Sequence, residues 1–299
     1  MRRRLDAELV RRGLAESREQ AQRSIDERRV RVSGAIAEKA ARLVDPGEPV
    51  ELVGDGPRYV SRGGEKLHAA LARFVIEANG VDAFDAGAST GGFTDCLLRH
   101  GARSVVAADV GHGQLHPRIR NDERVEVHER VNLRTVQPTV HFGGRRFALV
   151  VGDLSFISLT SLADNLLALA APGASLILLV KPQFEAGRVE VARGRGVIDQ
   201  PEIWARTFTT IADAFAARGA AMIDAMVSPI TGTDGNVEFL AHLRAPSEHG
   251  TLEQGTLEHG TPEHGTPDTA TARALIGAAV ESAVTRRSSR TAAALEPSP

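Results

Sequence analysis

The segment FDAGASTGGFTD, Phe84 to Asp95, constrains the fold of this chain more than any other stretch. Val81, Ala83 and Phe84 read as a short strand, and a carboxylate, Asp85, sits at its end. Gly87, Gly91 and Gly92 make a turn, and Phe93, Leu97 and Leu98 follow on a helix. Glycine lacks Cβ and accepts positive φ, so such a turn lets backbone come close to a ligand. The helix start adds unpaired N–H groups beside it. This order of elements puts a nucleotide-type pocket at the beginning of an open α/β sheet. A plain strand–turn–helix corner is the alternative.

The residues narrow the nucleotide. A dinucleotide turn needs G-x-G-x-x-G, with the second glycine making room for pyrophosphate. Ser89 stands at that second position. A P-loop would end in Gly-Lys-Ser/Thr, where this chain has Phe93 and Thr94. The acid-x-Gly-x-Ser/Thr pattern, running through Ser89 and Thr90, looks instead like a turn that holds S-adenosylmethionine (SAM). Gly87 would allow close approach of its methionine part. After the next expected strand comes Asp109, about twenty residues on, where an acid that binds ribose hydroxyls usually stands.

Alternation of strand and helix patterns continues from about residue 61 to 244. Strands are expected at 81–86, 103–109, 124–128, 147–153, 174–181, 221–227 and 236–243, with helices near 64–78, 92–100, 158–170 and 200–218. That pattern implies a Rossmann-like α/β fold, a mostly parallel seven-stranded sheet covered on both faces. The last two strands are expected to pair antiparallel at an edge. Residues 1–57 form a separate small α+β unit. Ser17 and Gln20 make a capping box for a helix bearing Ala21 and Ile25, and Arg29 to Val32 alternates like a strand. Residues 58–60 join the two units. EHGTL, EQGTL, EHGTP and EHGTP then repeat with a period of five, so 245–270 reads as a disordered spacer. His249, His259 and His264 within it are read as solvated residues rather than metal ligands. Residues 271–299 hold a short helix (Leu275, Ile276, Ala279, Val280, Val284) and a tail.

Composition excludes several classes. One cysteine, Cys96, rules out an internal disulfide and a multi-cysteine metal site, and fits a reducing, cytoplasmic setting. No apolar run approaches membrane-spanning length, and the charged start lacks the apolar core of a secretory signal. Net charge is near zero, yet residues 2–31 hold ten arginines against six acids. Arginine suits bidentate phosphate contact. Arg2, Arg4 and Arg18 are the candidate contacts to nucleic acid; a solvated basic face is the plainer reading of each.

Ligands of open α/β sheets bind at the carboxyl ends of the strands. Asp153 ends the strand FALVVGD, and Lys181 ends the apolar strand SLILLVK. Glu238 lies in NVEFL, in the last strand, and Lys66 lies in SRGGEKL, at the first helix of the larger domain. A lysine at the end of a wholly apolar strand is costly unless paired, and Asp153 and Glu238 are its expected partners. So placed, it can activate a hydroxyl. Each residue also has a plain structural reading: a helix N-cap for Asp153, a structural ion pair for Lys181, an exposed edge position for Glu238, a surface lysine for Lys66.

SRGGEKL, DAGASTGGFTD, VVAADVGHGQL, VVGDLSFISL, LVKPQFEAG and GNVEFL, in this order, resemble the TlyA family over residues 1 to about 244. Its members go by hemolysin A or rRNA 2′-O-methyltransferase. The resemblance implies an S4-type RNA-binding domain before an FtsJ-like, class I SAM-dependent methyltransferase domain. It implies a Lys-Asp-Lys-Glu tetrad, falling on Lys66, Asp153, Lys181 and Glu238. It also implies methylation of a ribose, a cytidine's, in 16S or 23S ribosomal RNA, with ribosomal subunits as partners and no metal. Glu16 dilutes the basic face of the first domain. Three other readings compete: a non-catalytic RNA-binding assembly factor, a SAM enzyme of small molecules, and a membrane-active hemolysin.

Overall fold

A computed structural model describes residues 2–15, 17–26, 28–54, 56–194, 196–232, 235–247 and 269–295. Glu16, and the pentapeptide repeats with His249, His259 and His264, lie outside the described residues. The chain divides into two compact units, Met1–Arg58 and Tyr59–Pro299.

The first unit runs β1 (Arg3–Arg4), α1 (Leu5–Arg11), α2 (Arg18–Asp26), β2 (Val30–Val32), β3 (Ala35–Ile36), β4 (Leu43–Val44) and β5 (Val50–Leu52). Ser17 Oγ accepts from the Gln20 N–H at 3.1 Å, tying down the start of α2. Leu5, Leu9, Ala21, Ile25, Val30 and Val44 form its core. Two carboxylates are buried beside that core. Asp6 accepts from Arg4, Arg18 and Gln22, which hold its carboxyl well below the usual range, Arg4 most strongly. Glu8 accepts from Arg11 and Arg12, which lower it to about 2.

The second unit runs α3 (Gly63–Phe74), β6 (Asp82–Ala86), α4 (Gly92–Arg99), β7 (Ser104–Asp109), α5 (Pro117–Arg120), β8 (Val125–Glu129), α6 (Pro138–His141) and β9 (Phe147–Gly152). A 3-10 turn (Leu159–Leu162) leads into α7 (Ala163–Leu169) and β10 (Ala170–Val180). Then come α8 (Pro182–Glu185), α9 (Arg188–Arg193), α10 (Pro201–Ala216), β11 (Ala221–Val227), β12 (Phe239–Arg244) and α11 (Thr269–Leu295). The seven-stranded sheet has the order β11-β12-β10-β9-β6-β7-β8. β12 is antiparallel to both its neighbours, while β10, β9, β6, β7 and β8 pair in parallel. Alternate residues of the central strands serve opposite faces. Ala83, Val105 and Leu149 pack with Leu67, Leu71 and Leu97 of α3 and α4. Phe84, Val106 and Val150 pack with Leu166, Trp204 and Phe208 of α7 and α10.

Several boundaries differ from the sequence reading: α3 ends at Phe74 rather than 78, and β10 starts at Ala170 rather than 174. The last strand starts at Phe239, not at 236, because Asn236 is used elsewhere. Its side chain donates to Gly196 O and accepts from the Ile198 N–H, both at 3.0 Å. The terminal helix α11 has 27 residues, where a short one was expected. Ile276, Ala279, Val280 and Ala283 anchor it on the core, and a run rich in the helix formers Arg and Ala extends it.

Candidate active site

The turn after β6 is built on backbone that few residues tolerate. Gly87 has φ +82°, and a Cβ there would press against Leu154 at 2.9 Å and the Asp153 carbonyl at 3.2 Å. At Gly92 a Cβ would stand 2.1 Å from Ser61 Oγ. Glycine at both positions lets the turn lie against its neighbours. Ser89, also at positive φ, donates its N–H to Asp109 Oδ2 at 2.8 Å. The Gly111 N–H donates to Asp109 Oδ1 at 2.6 Å. A carboxylate offers about four acceptor positions, so Asp109 keeps capacity for sugar hydroxyls.

Gly87, Ser89, Thr90, Gly92 and Phe93 line a cleft of about 180 Å³. Asp153, Ser155 and Lys181 line the same cleft. Gly91 does not line the cleft; a Cβ there would meet Leu115 at 2.9 Å. Asp85 is fully buried and does not line the cleft. Its carboxylate accepts from Thr94 Oγ1 at 2.6 Å, within α4, so it holds the turn to the helix. A larger apolar cavity of about 260 Å³ lies among Trp204, Val227 and Arg286. It touches Glu238 but none of the other three tetrad positions, whereas Asp153 and Lys181 line the smaller cleft beside the glycine turn.

Burial pushes the Asp85 carboxyl up to about 7, and the charges of Asp153 and Asp109 add to the rise, against the Thr94 hydrogen bond. The fold therefore keeps a proton that the unfolded chain sheds near pH 3.8. The associated stability is complete below that value and is lost as pH rises through about 7. Asp85→Asn, which retains an acceptor for Thr94, removes the loss. Its melting temperature relative to wild type is expected to climb between pH 5 and pH 8, by about 2–4 °C for each kcal/mol relieved. Thermal melts at the two pH values check this, and a difference independent of pH would refute it.

The tetrad converges because of strand direction. Asp153 and Lys181 follow the carboxyl ends of the parallel strands β9 and β10. β12 runs the other way, so Glu238, one residue before its start, arrives at the same edge. Lys66 comes from the first turns of α3. The four form a chain of charges. Glu238 Oε2 lies 2.6 Å from Lys66 Nζ, Lys66 Nζ 3.8 Å from Asp153 Oδ2, and Asp153 Oδ1 2.6 Å from Lys181 Nζ. Lys181 Nζ also donates to Ser155 Oγ at 2.8 Å. Two cations and two anions, mostly buried, satisfy one another.

One expected pairing is corrected. Glu238 pairs not with Lys181 but with Lys66, which α3 inserts between Glu238 and Asp153. Ser155 was not singled out as a partner of Lys181; its place two residues after Asp153 was the available signal. Phe156 was also missed. It has φ +63°, is 88% exposed, and its ring centre lies 5.0 Å from that of Phe184.

In the first unit Arg4 and Arg18 share Asp6, and Arg2 pairs with Asp45 at 3.0 Å. All three side chains stay about half exposed or more, at 70%, 47% and 59% for Arg2, Arg4 and Arg18. Among the described residues no three of His, Cys, Asp and Glu cluster as metal ligands, and no helix is long and apolar enough to cross a membrane.

Known proteins carry the same parts. The profile of the FtsJ-like methyltransferases matches residues 59–245, and that of the S4 domain matches residues 3–50. A Mycobacterium tuberculosis protein named 16S/23S rRNA (cytidine-2′-O)-methyltransferase TlyA is 46% identical over 246 residues, covering 82% of this chain and 91% of that one. A Bacillus subtilis protein named as an rRNA methyltransferase is 44% identical, over 82% of this chain and 86% of its own. A solved structure from Streptococcus thermophilus, described as a hemolysin, has a TM-score of 0.69 at 33% identity, covering 96% of this chain and 98% of that one. The glycine turn and the buried charges thus sit within a match that spans both units, and the chain belongs to the TlyA family of S4-domain, FtsJ-like methyltransferases.

Proposed function

We propose that this methyltransferase uses SAM to methylate the 2′-hydroxyl of a cytidine ribose in 16S or 23S ribosomal RNA. One observation carries the reading: Lys181 Nζ, held by Asp153 and Ser155, faces the same cleft as the glycine turn. The residues fit the cofactor. Gly87 and Gly92 line the cleft without side chains, and Asp109 has acceptor positions to spare. Gly87, Ser89, Thr90, Gly92 and Phe93 would hold SAM, with Asp109 on its ribose. When bound, SAM supplies a methyl group already activated on a sulfonium.

The protein's task is then to position and prepare the hydroxyl. Lys181, as an ammonium, orients the 2′-oxygen and stabilises the charge that develops on it; it could take the proton itself only after passing its own to solvent. Asp153 fixes the Lys181 head group. Lys66 and Glu238 complete a neutral network, so no uncompensated charge is left in the cleft.

The first unit would grip RNA through arginines on phosphates. Asp6 aligns Arg4 and Arg18 while leaving guanidinium N–H groups over. Arg18→Ala is expected to weaken binding to ribosomal subunits and to reduce the log–log salt slope by about one. Filter binding across a salt series measures both, and an unchanged slope would remove Arg18 from the contact set. The reaction itself is tested by incubating the protein with tritiated SAM and unmodified ribosomal subunits, then mapping the label. Label on a cytidine 2′-oxygen is expected; label on a base, or none in RNA, would overturn the reading.

A further inference from the structure

The loops that carry Asp153 and Lys181 are joined again beyond the charged network, by contacts the chemistry does not use. Glu185 ends α8, four residues after Lys181. Its Oε1 accepts from the Leu159 N–H at 2.8 Å, and its Oε2 accepts from the Ser158 hydroxyl at 2.6 Å. Ser158 is in turn the N-cap of the 3-10 turn, accepting from the Thr160 N–H at 3.2 Å. Glu185 is half-buried, and burial raises its carboxyl above the usual range.

Between Ser155 and Ser158 the chain passes through Phe156 in left-handed backbone. A bulky side chain there is strained and keeps its place only when its surroundings over-determine it. This turn is pinned at both ends. Lys181 holds Ser155, Glu185 holds Ser158 and Leu159, and Phe184 packs on Phe156 between them. All three holding residues come from the segment Lys181 to Glu185.

We infer that Glu185 is a positioning residue for methyl transfer, latching the Ser155–Ser158 turn so that Ser155 Oγ stays on Lys181 Nζ. The inference rests on the reading that Lys181 acts on the ribose hydroxyl. Glu185 is not among the residues lining the cleft, so its effect passes through the turn and not through the cofactor.

Glu185→Ala removes both acceptors. Its kcat for methylation of ribosomal RNA is expected to fall about tenfold or more, since small misplacements at a reacting centre are costly. Its KM for SAM should stay within about twofold of wild type, the pattern of an interaction that matters only in the transition state. Glu185→Gln keeps an acceptor for Leu159 and offers an N–H to Ser158 Oγ, and should restore kcat to within about threefold. Ser158→Ala weakens the latch from the other side, and its effect should disappear in a Glu185→Ala background. Thermal melts and SAM titration verify that each variant is folded; if Glu185→Ala is not, Ser158→Ala decides. A kcat near wild type in the deciding variant, or a Glu185→Gln as impaired as Glu185→Ala, overturns the latch. Wild type and Lys181→Ala run alongside. Inactive wild type, or active Lys181→Ala, would instead overturn the reading on which the latch depends.

Discussion

Lys181→Ala is expected to bind SAM as wild type does and to lose methyl transfer by about 10²- to 10⁴-fold, the range associated with a positioned proton-transfer group. The proposed cofactor contacts fall on the turn from Gly87 to Phe93 and not on the lysine, so affinity should survive. Removing the ammonium leaves Asp153 with Lys66 at 3.8 Å as its remaining cationic partner. Asp153 is the most exposed of the four, at 23%, so water can take up part of its solvation and the fold should tolerate the change. Isothermal titration with SAM, beside transfer of labelled methyl to ribosomal subunits, separates the two effects. Turnover near wild type would remove Lys181 from the mechanism.

Lys66→Met should act differently, on stability as well as activity. Glu238 is only 3% exposed, and Lys66 Nζ, 2.6 Å away, is its ion-pair partner. Breaking a buried pair from one side leaves an uncompensated charge and costs about 3–5 kcal/mol. Lys66→Met/Glu238→Leu removes both charges and should recover most of that loss, because apolar replacement of a whole buried pair is often neutral or better. Methyl transfer should stay lost in the double variant. Chemical denaturation of the three proteins measures the stabilities. A single variant as stable as wild type would mean that the pair is not buried in solution. Recovery of activity in the double variant would confine Lys66 and Glu238 to a structural role.

Much of the larger unit was legible because its signals are periodic or glycine-marked. The strands β7, β9 and β10 are largely apolar runs, and the turn at Gly87 carries residues whose replacement would clash. The helices α5, α6 and α8 were not legible. Each has four residues, too few to show a helical period, and a proline at the first turn was their one local mark. The order of charges was equally hidden. Which lysine meets Glu238 depends on how α3 lies against the sheet edge, and no spacing in the chain records that. The buried acids Asp6 and Glu8 were read only as charges offsetting arginines, whereas packing makes them anchors for those arginines. The fate of Asp85 turned on strand alternation: it points to the α4 face, where Thr94 meets it, and not into the cleft.

The antiparallel course of β12 has a consequence for biosynthesis. Lys66 and Glu238 are 172 residues apart in the chain, so the charged network cannot close until almost the whole methyltransferase unit has been translated. A nascent chain with the glycine turn already formed would still lack the carboxylate that neutralises Lys66. Under the proposed mechanism catalytic competence would come late in synthesis, and a product terminated before Glu238 would lack the carboxylate that pairs with Lys66.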